Sequence, residues 1–205
     1  MYRVVKRVLD ILFSILLLAV LSPIIFIIIV AIKIDSKGPV IFKQKRIGIH
    51  KYEFYIFKFR TMYTDTPKDV PTHLLENPEK WITKVGMFLR KTSLDELPQL
   101  INILKGDMSF VGPRPALWNQ YDLIEEREKY GANDVPVGLT GWAQVNGRDE
   151  LPISEKAKLD GEYAKNIGLW MDIKCFFKTI LSVLKSEGVL EGGTGNIKRD
   201  EETIK

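Results

Sequence analysis

From residue 11 to residue 32 the chain reads ILFSILLLAVLSPIIFIIIVAI, without one charged side chain. As a helix rising ~1.5 Å per residue, this run reaches ~33 Å, enough to cross a hydrocarbon core of ~30 Å. Pro23 interrupts it near the middle: a proline gives no N–H to the helix ladder and crowds the carbonyl four residues back. The Ser22 hydroxyl beside it can serve a carbonyl freed in this way. The flanks carry like charge, Arg3, Lys6 and Arg7 before the run and Lys33, Lys37, Lys43, Lys45 and Arg46 after it. Basic residues near membrane ends favour the cytoplasmic side, so both ends ask for the same side. The pattern predicts a helix that enters the membrane, breaks at Ser22-Pro23 and returns. A kinked spanning helix and a buried helix of a soluble core are the alternatives. The run is too long for a secretory signal and ends without a small-residue cleavage site.

After residue 35 the pattern changes to that of a globular domain. PVIF (39–42) and YEFYIFKF (52–59) are aromatic and β-branched and predict short strands. The stretch 64–80 carries Pro67, Pro71 and Pro78 and reads as surface loop. Segments 81–91, 94–105 and 119–130 predict helices, and 134–150, rich in glycine, an ordered loop. A last helix is expected over about 170–186. In it Ile173, Phe176, Phe177, Ile180, Leu181 and Leu184 share one face. Such a face is read first as core; a membrane interface is the competitor, since Trp170 and the neighbouring lysines suit a headgroup layer. The fold class expected is α+β: a re-entrant membrane helix over 1–34, a compact and mainly helical domain with short strands over 35–190, and a polar tail over 191–205.

Charge narrows the field. Thirty Lys and Arg against 26 Asp and Glu leave a net charge of +4. No basic block is interleaved with stacking aromatics, so nucleic acid is not an expected partner. The single cysteine, Cys175, permits no internal disulfide and reads as packing; with two histidines besides, a structural zinc site is not expected.

The candidate chemistry lies in SLDELPQLINILKGDMSFVGPRP, residues 93–115. Ser93 and Glu96 match the S-x-x-E capping box, which puts Asp95 and Glu96 in a first helical turn. Pro98 allows a second possibility, a helix beginning at Leu97-Pro98 with the acidic pair in its lead-in. Acidic residues favour helix N-termini in any case, so the pair alone has a structural explanation. Its neighbours suggest more. Strand alternation sends Lys58 and Arg60 to one face. Arg90 precedes the pair, Arg114 is held between two prolines, and Arg148 closes VNGR. Carboxylates with Mg²⁺, facing cations that suit phosphate oxygens, make a phosphoryl-transfer site permissible. An aspartate can also be the nucleophile itself. P-loop, dinucleotide, nucleophile-elbow and H-E-x-x-H motifs are all missing, as is a D-x-D metal motif.

The blocks SKGPVIFKQKRIG (36–48), IFKFRTM (56–62), RKTSLDELPQLINILKGDMSFVGPRP (90–115), GLTGWAQVNGR (138–148) and LDGEYAKN (159–166) together resemble the bacterial sugar transferase family. Its members are monotopic phosphoglycosyl transferases that start glycoconjugate assembly on polyprenyl phosphate. The resemblance runs from the N-terminal helix to about residue 190. In length it is similar to the small members, helix plus catalytic core, and most like the Campylobacter-type enzymes of protein N-glycosylation.

The resemblance implies transfer of a sugar 1-phosphate from a UDP-sugar to undecaprenyl phosphate, with release of UMP and a requirement for Mg²⁺. It implies Asp95 as nucleophile on the β-phosphate and as Mg²⁺ ligand, assisted by Glu96. It also implies substrate-phosphate contacts from Lys58, Arg60, Arg90, Arg114 and Arg148. The family's re-entrant helix, broken at Ser-Pro, matches Ser22-Pro23, and places the protein on the cytoplasmic face of the bacterial inner membrane among inner-leaflet lipids. One departure stands out: Pro136-Val137 occupies the place of the family's basic-Pro pair, which removes a cation. Two other readings remain open, a non-catalytic lipid-binding scaffold and a membrane phosphohydrolase.

Overall fold

The computed structural model describes residues 2–66, 77–147 and 151–185. The first element, α1 (Tyr2–Asp35), is one continuous helix with Pro23 inside it. Helical structure runs on through Ser22-Pro23, where an interruption was expected. Pro23 leaves the carbonyl of Ala19 without its ladder partner, and the Ser22 hydroxyl donates to that carbonyl at 2.8 Å. The lost bond is replaced one residue away, so the helix continues.

Along α1 the buried positions Lys6, Asp10, Ser14, Ile28 and Ile32 are linked by the half-buried Leu17, Leu18, Leu21 and Ile25. Steps of three and four place them on one face from end to end. The helix therefore meets the rest of the molecule through one side, from Lys6 to Ile32. Its other faces expose apolar side chains throughout, Leu12, Phe13, Leu16, Val20, Phe26, Ile27 and Ile34 among them.

The strands β1 (Ile41–Ile47) and β2 (Glu53–Phe59) form an antiparallel hairpin, Ile41 opposite Phe59 and Ile47 opposite Glu53. Helices α2 (Lys84–Thr92) and α3 (Gln99–Lys105) follow, then the short strands β3 (Ser109–Val111) and β4 (Ala116–Leu117). Strand β4 joins β1, giving a three-stranded sheet in the order β2-β1-β4. Helix α4 (Tyr121–Glu128) leads to β5 (Gly138–Thr140), which pairs in parallel with β3. Helices α5 (Ile153–Lys165) and α6 (Leu169–Lys185) complete the described chain. The class is α+β, as expected. The Pro67 and Pro71 part of the predicted loop, Arg148 and the polar tail lie outside the described residues; within them, Pro78–Trp81 forms a short 3-10 turn.

Two apolar clusters seat α1. Leu17 and Leu18 pack on Phe54, Ile56, Leu100, Ile103, Met108 and Val137, and Ile28 and Ile32 join Phe59 and Leu89. Helix α5 was not foreseen, because its buried face is Ala157, Asp160, Gly161 and Tyr163, too small and too polar to read as an apolar stripe. In α6 the core reading is overturned. Phe176, Phe177, Ile180 and Leu181 are exposed, while Cys175 is fully buried on the opposite side. Cys175 is packing, as its sequence context suggests, and burial pushes its thiol up to about 12.

Candidate active site

Where α2 ends, Ser93 adopts a left-handed conformation with φ 56°. A 3-10 turn over Leu94–Glu96 follows, and α3 begins at Gln99. The acidic pair therefore stands in the lead-in to α3, the second of the two geometries the sequence allows. The capping box is not formed: the Ser93 side chain makes no cap hydrogen bond. Glu96 is engaged elsewhere.

Helix α3 fixes the pair against the hairpin. Asn102, fully buried, accepts from the Phe57 N–H at 2.9 Å and donates to the Tyr55 carbonyl at 2.8 Å. Those bonds cover the outer edge of β2 and set its register against α3. The next residue, Lys58, then reaches the carboxylates: its Nζ lies 2.7 Å from Glu96 Oε1 and 3.5 Å from Asp95 Oδ2. From the other side Arg114 Nη2 lies 3.3 Å from the same Glu96 oxygen.

The two carboxylates are thus unequal. Burial pushes Glu96 up, but Lys58 and Arg114 outweigh it and hold the group down at about 2. For Asp95 burial prevails. Its carboxyl stands above the usual range, with Lys58 opposing the rise and the Glu96 charge adding to it. Where Lys58 and Arg114 outweigh burial the charged form of Glu96 is stabilised; at Asp95 burial outweighs Lys58, Arg90 and Arg114 together.

Arg114 is held through its backbone. Its carbonyl accepts from Arg127 Nη2 at 2.9 Å, and Arg127 forms a buried pair with Asp160 at 2.6 Å. The carbonyls on either side, of Pro113 and Pro115, accept from the Gly138 N–H and Arg46. Close backbone approach explains the neighbouring glycines: a Cβ on Gly138 or Gly141 would stand 2.1 Å or 2.0 Å from backbone atoms of Gly112. No side chain fits at that crossing. Sequence reading missed Arg127, which sits in the charged run EEREK and looks like a solvated face, and Asp160, legible only as part of LDGEY.

Other candidates fare differently. Arg90 Nε donates to the Thr61 hydroxyl at 2.9 Å, and its charge acts on Asp95. Arg60 lies one residue beyond β2 and is not brought to the acidic pair. It is 5% exposed and its Nη2 donates to the Ser36 carbonyl and hydroxyl at the end of α1. Val137 is buried in the core beside Met108, so the Pro136-Val137 departure acts there on packing.

Magnesium needs oxygen ligands and commonly takes one or two carboxylates, filling its other positions with substrate phosphates and water. Among the described residues no cluster of three potential ligands exists. Asp95, with Glu96 occupied by cations, fits such a shared site and not an all-protein cage.

A family model described as bacterial sugar transferase matches residues 1–186. The chain is 42% identical over 186 residues to the uncharacterized sugar transferase EpsL of Bacillus subtilis, covering 91% of this chain and 90% of that one. It is 43% identical to the UDP-glucose:undecaprenyl-phosphate glucose-1-phosphate transferase of Escherichia coli, over 87% of this chain and 40% of that protein. Identity to the undecaprenyl-phosphate galactose phosphotransferase of Salmonella typhimurium is 38%, over 91% of this chain and 42% of the relative. The chain therefore spans nearly all of the Bacillus protein and less than half of the other two.

Proposed function

The chain belongs to the bacterial sugar transferase family, and from that premise we propose that it transfers a sugar 1-phosphate from a UDP-sugar to undecaprenyl phosphate, releasing UMP, by way of a phosphosugar carried on Asp95. The E. coli relative's name states this donor class and this acceptor. The Salmonella relative's name gives galactose in place of glucose, so the donor is assigned here as a UDP-sugar and no further.

The observation that carries the mechanism is the inequality of the two carboxylates. Glu96 has its charge committed to Lys58 at 2.7 Å and Arg114 at 3.3 Å, and serves to hold those cations where phosphate oxygens arrive. Asp95, on which Lys58 at 3.5 Å, Arg90 and Arg114 act without overcoming its burial, is the group left to attack. In the first step an Asp95 oxygen bonds to the β-phosphorus, and the bond from that phosphorus to the oxygen bridging it to the α-phosphate breaks. UMP leaves with that oxygen. In the second, a phosphate oxygen of undecaprenyl phosphate attacks the same phosphorus and Asp95 departs as a carboxylate. Positioning and charge neutralisation carry most of such a transfer. Mg²⁺, held by Asp95 together with substrate phosphates, would supply further neutralisation of charge on the phosphoryl oxygens.

The same reading places the protein on the cytoplasmic face of the inner membrane without crossing it. Helix α1 is long and apolar enough to span by composition. Yet Lys6 near its start pairs with Asp172 of α6, and Asp35 at its end accepts from the Val85 N–H of α2. A helix tied at both ends to one domain keeps both ends on that domain's side. The exposed faces of α1 and α6 then meet lipid, and the acidic pair works where a soluble donor meets a membrane-bound acceptor.

The test is nucleotide release from a panel of UDP-sugars with Mg²⁺, with and without undecaprenyl phosphate, for wild type and Asp95→Asn. Lipid-dependent UMP from one donor, abolished by Asp95→Asn, is the expected result. Release of UDP would mean ordinary glycosyl transfer and overturn the proposal. Repeated turnover to UMP without lipid would make the protein a phosphohydrolase.

A further inference from the structure

The first turns of α1 do something an anchor does not require. Lys6 and Asp10 are each 5% exposed, buried against the domain at the end of a helix otherwise built for lipid. Charged side chains at such an end are most cheaply placed among headgroups and water. Here they and Arg7 are spent on backbone groups and side chains of the catalytic domain.

Two of these contacts straddle a single turn. Arg7 donates through Nη2 to the Leu104 carbonyl at 2.7 Å and through Nη1 to the Ile103 carbonyl, capping the C-terminus of α3. Asp10 Oδ1 accepts from the Phe110 N–H of β3 at 3.1 Å. Phe110 lies between Ser109 and Val111, the residues paired with β5, so strand alternation turns its N–H away from that strand. Residues 7 and 10 are neighbours on one helix face. Between the segments they hold lies only Gly106–Met108, with Gly106 at φ 95°.

That turn joins the two segments that flank the site. The acidic pair precedes α3 and Arg114 follows β3, and the two ends meet where Arg114 lies 3.3 Å from Glu96. A second set of contacts backs the clamp: Tyr2 and Lys6 reach Asp172, which also accepts from the Tyr163 hydroxyl, itself 3.0 Å from the Val111 carbonyl.

We propose that Arg7 and Asp10 of the membrane helix form a clamp across the α3–β3 bend and act as positioning residues, setting Arg114 against the acidic pair. Seating of α1 is then a condition for an assembled site, not only for attachment. The inference rests on the transferase reading for its kinetic test.

The experiment is a double-mutant cycle on the full chain in lipid nanodiscs, reading the rate constant of the first turnover to UMP. Asp10→Ala lowers it by about 10- to 100-fold, the scale of a small misplacement at a phosphoryl site. Asp10→Asn keeps an acceptor oxygen for Phe110 and stays within about 3-fold of wild type. In an Arg114→Lys background Asp10→Ala adds little, because the group it positions is already replaced. Equal fold losses in both backgrounds, or no loss in either, overturn the clamp. If Asp10→Ala does not fold, Arg7→Lys, which keeps the charge and loses the fork, is tested by the same cycle. Amide exchange across residues 99–111 gives a readout free of catalysis: it speeds up in Asp10→Ala or Arg7→Lys, and unchanged exchange overturns the proposal. Wild type that releases no UMP while exchange responds to the substitutions refutes the transferase reading and leaves the clamp standing.

Discussion

At the scale of the residue, two adjacent carboxylates are separated in role by their cations. Asp95 is buried with one lysine at 3.5 Å and stands above the usual carboxylate range, whereas Glu96 is held at about 2. The sign for activity follows. In the proposed mechanism Asp95 attacks as the carboxylate, so the rate falls as pH drops through a raised value, while Glu96 stays ionised across the same window. The first-turnover rate is expected to show one acidic limb, lying above the ordinary aspartate range. Lys58 opposes the rise, so Lys58→Ala is expected to move that limb to higher pH as well as slowing the reaction. A pH–rate profile of the two proteins checks this, and a limb that moves down would reassign the titrating group. Adjacency of Asp95 and Glu96 was legible in the sequence. Their inequality was not, since the cations come from β2 and from the loop after β3.

At the scale of the element, α1 shows how a proline is accommodated in an apolar helix. Ser22 supplies to the Ala19 carbonyl the hydrogen bond that Pro23 withholds. Ser22→Ala therefore leaves a carbonyl without a donor, in surroundings with little water to replace it. The expected cost is about 1–2 kcal/mol. With Pro23→Ala in place the residue 23 N–H returns to Ala19, and Ser22→Ala is expected to cost almost nothing. Thermal unfolding of the four proteins in one detergent measures the cycle; equal costs with and without Pro23 would assign Ser22 no part in the repair. Among elements with a regular period, β2 and the extent of α6 were predicted closely, whereas β1 was expected at 39–42 and runs over Ile41–Ile47, and α1 was expected to break at Ser22-Pro23. Strands β3, β4 and β5 have two or three residues each, too few for a period, and exist through their pairing with other segments.

At the scale of the whole molecule, the outward apolar faces of α1 and α6 and the tie at both ends of α1 support the proposed placement in one leaflet. If α6 rests on lipid, its exposed side chains govern access to the membrane-bound substrate alone. Phe177→Glu with Leu181→Glu is expected to raise KM for undecaprenyl phosphate several-fold while leaving KM for the UDP-sugar within about 2-fold, because α1 still anchors the chain. Steady-state kinetics in vesicles, varying each substrate in turn, makes the comparison. An equal rise in both values would mean that α6 supports the site and not the surface.

The apolar run, the amphipathic pattern of α6, the strand character of 52–59 and the acidic pair were decided by the sequence itself, because period and adjacency are properties of neighbours along the chain. The tertiary structure decided which partner each charge received. It gave Lys58 to Glu96 across 38 positions and Arg127 to Asp160 across 33. It turned Arg60 to Ser36, and took Lys6, Arg7 and Asp10 from the membrane surface into the domain. A charge is fixed by whatever opposite group or backbone dipole lies within about 4 Å. In a folded chain that distance bears no relation to separation in sequence.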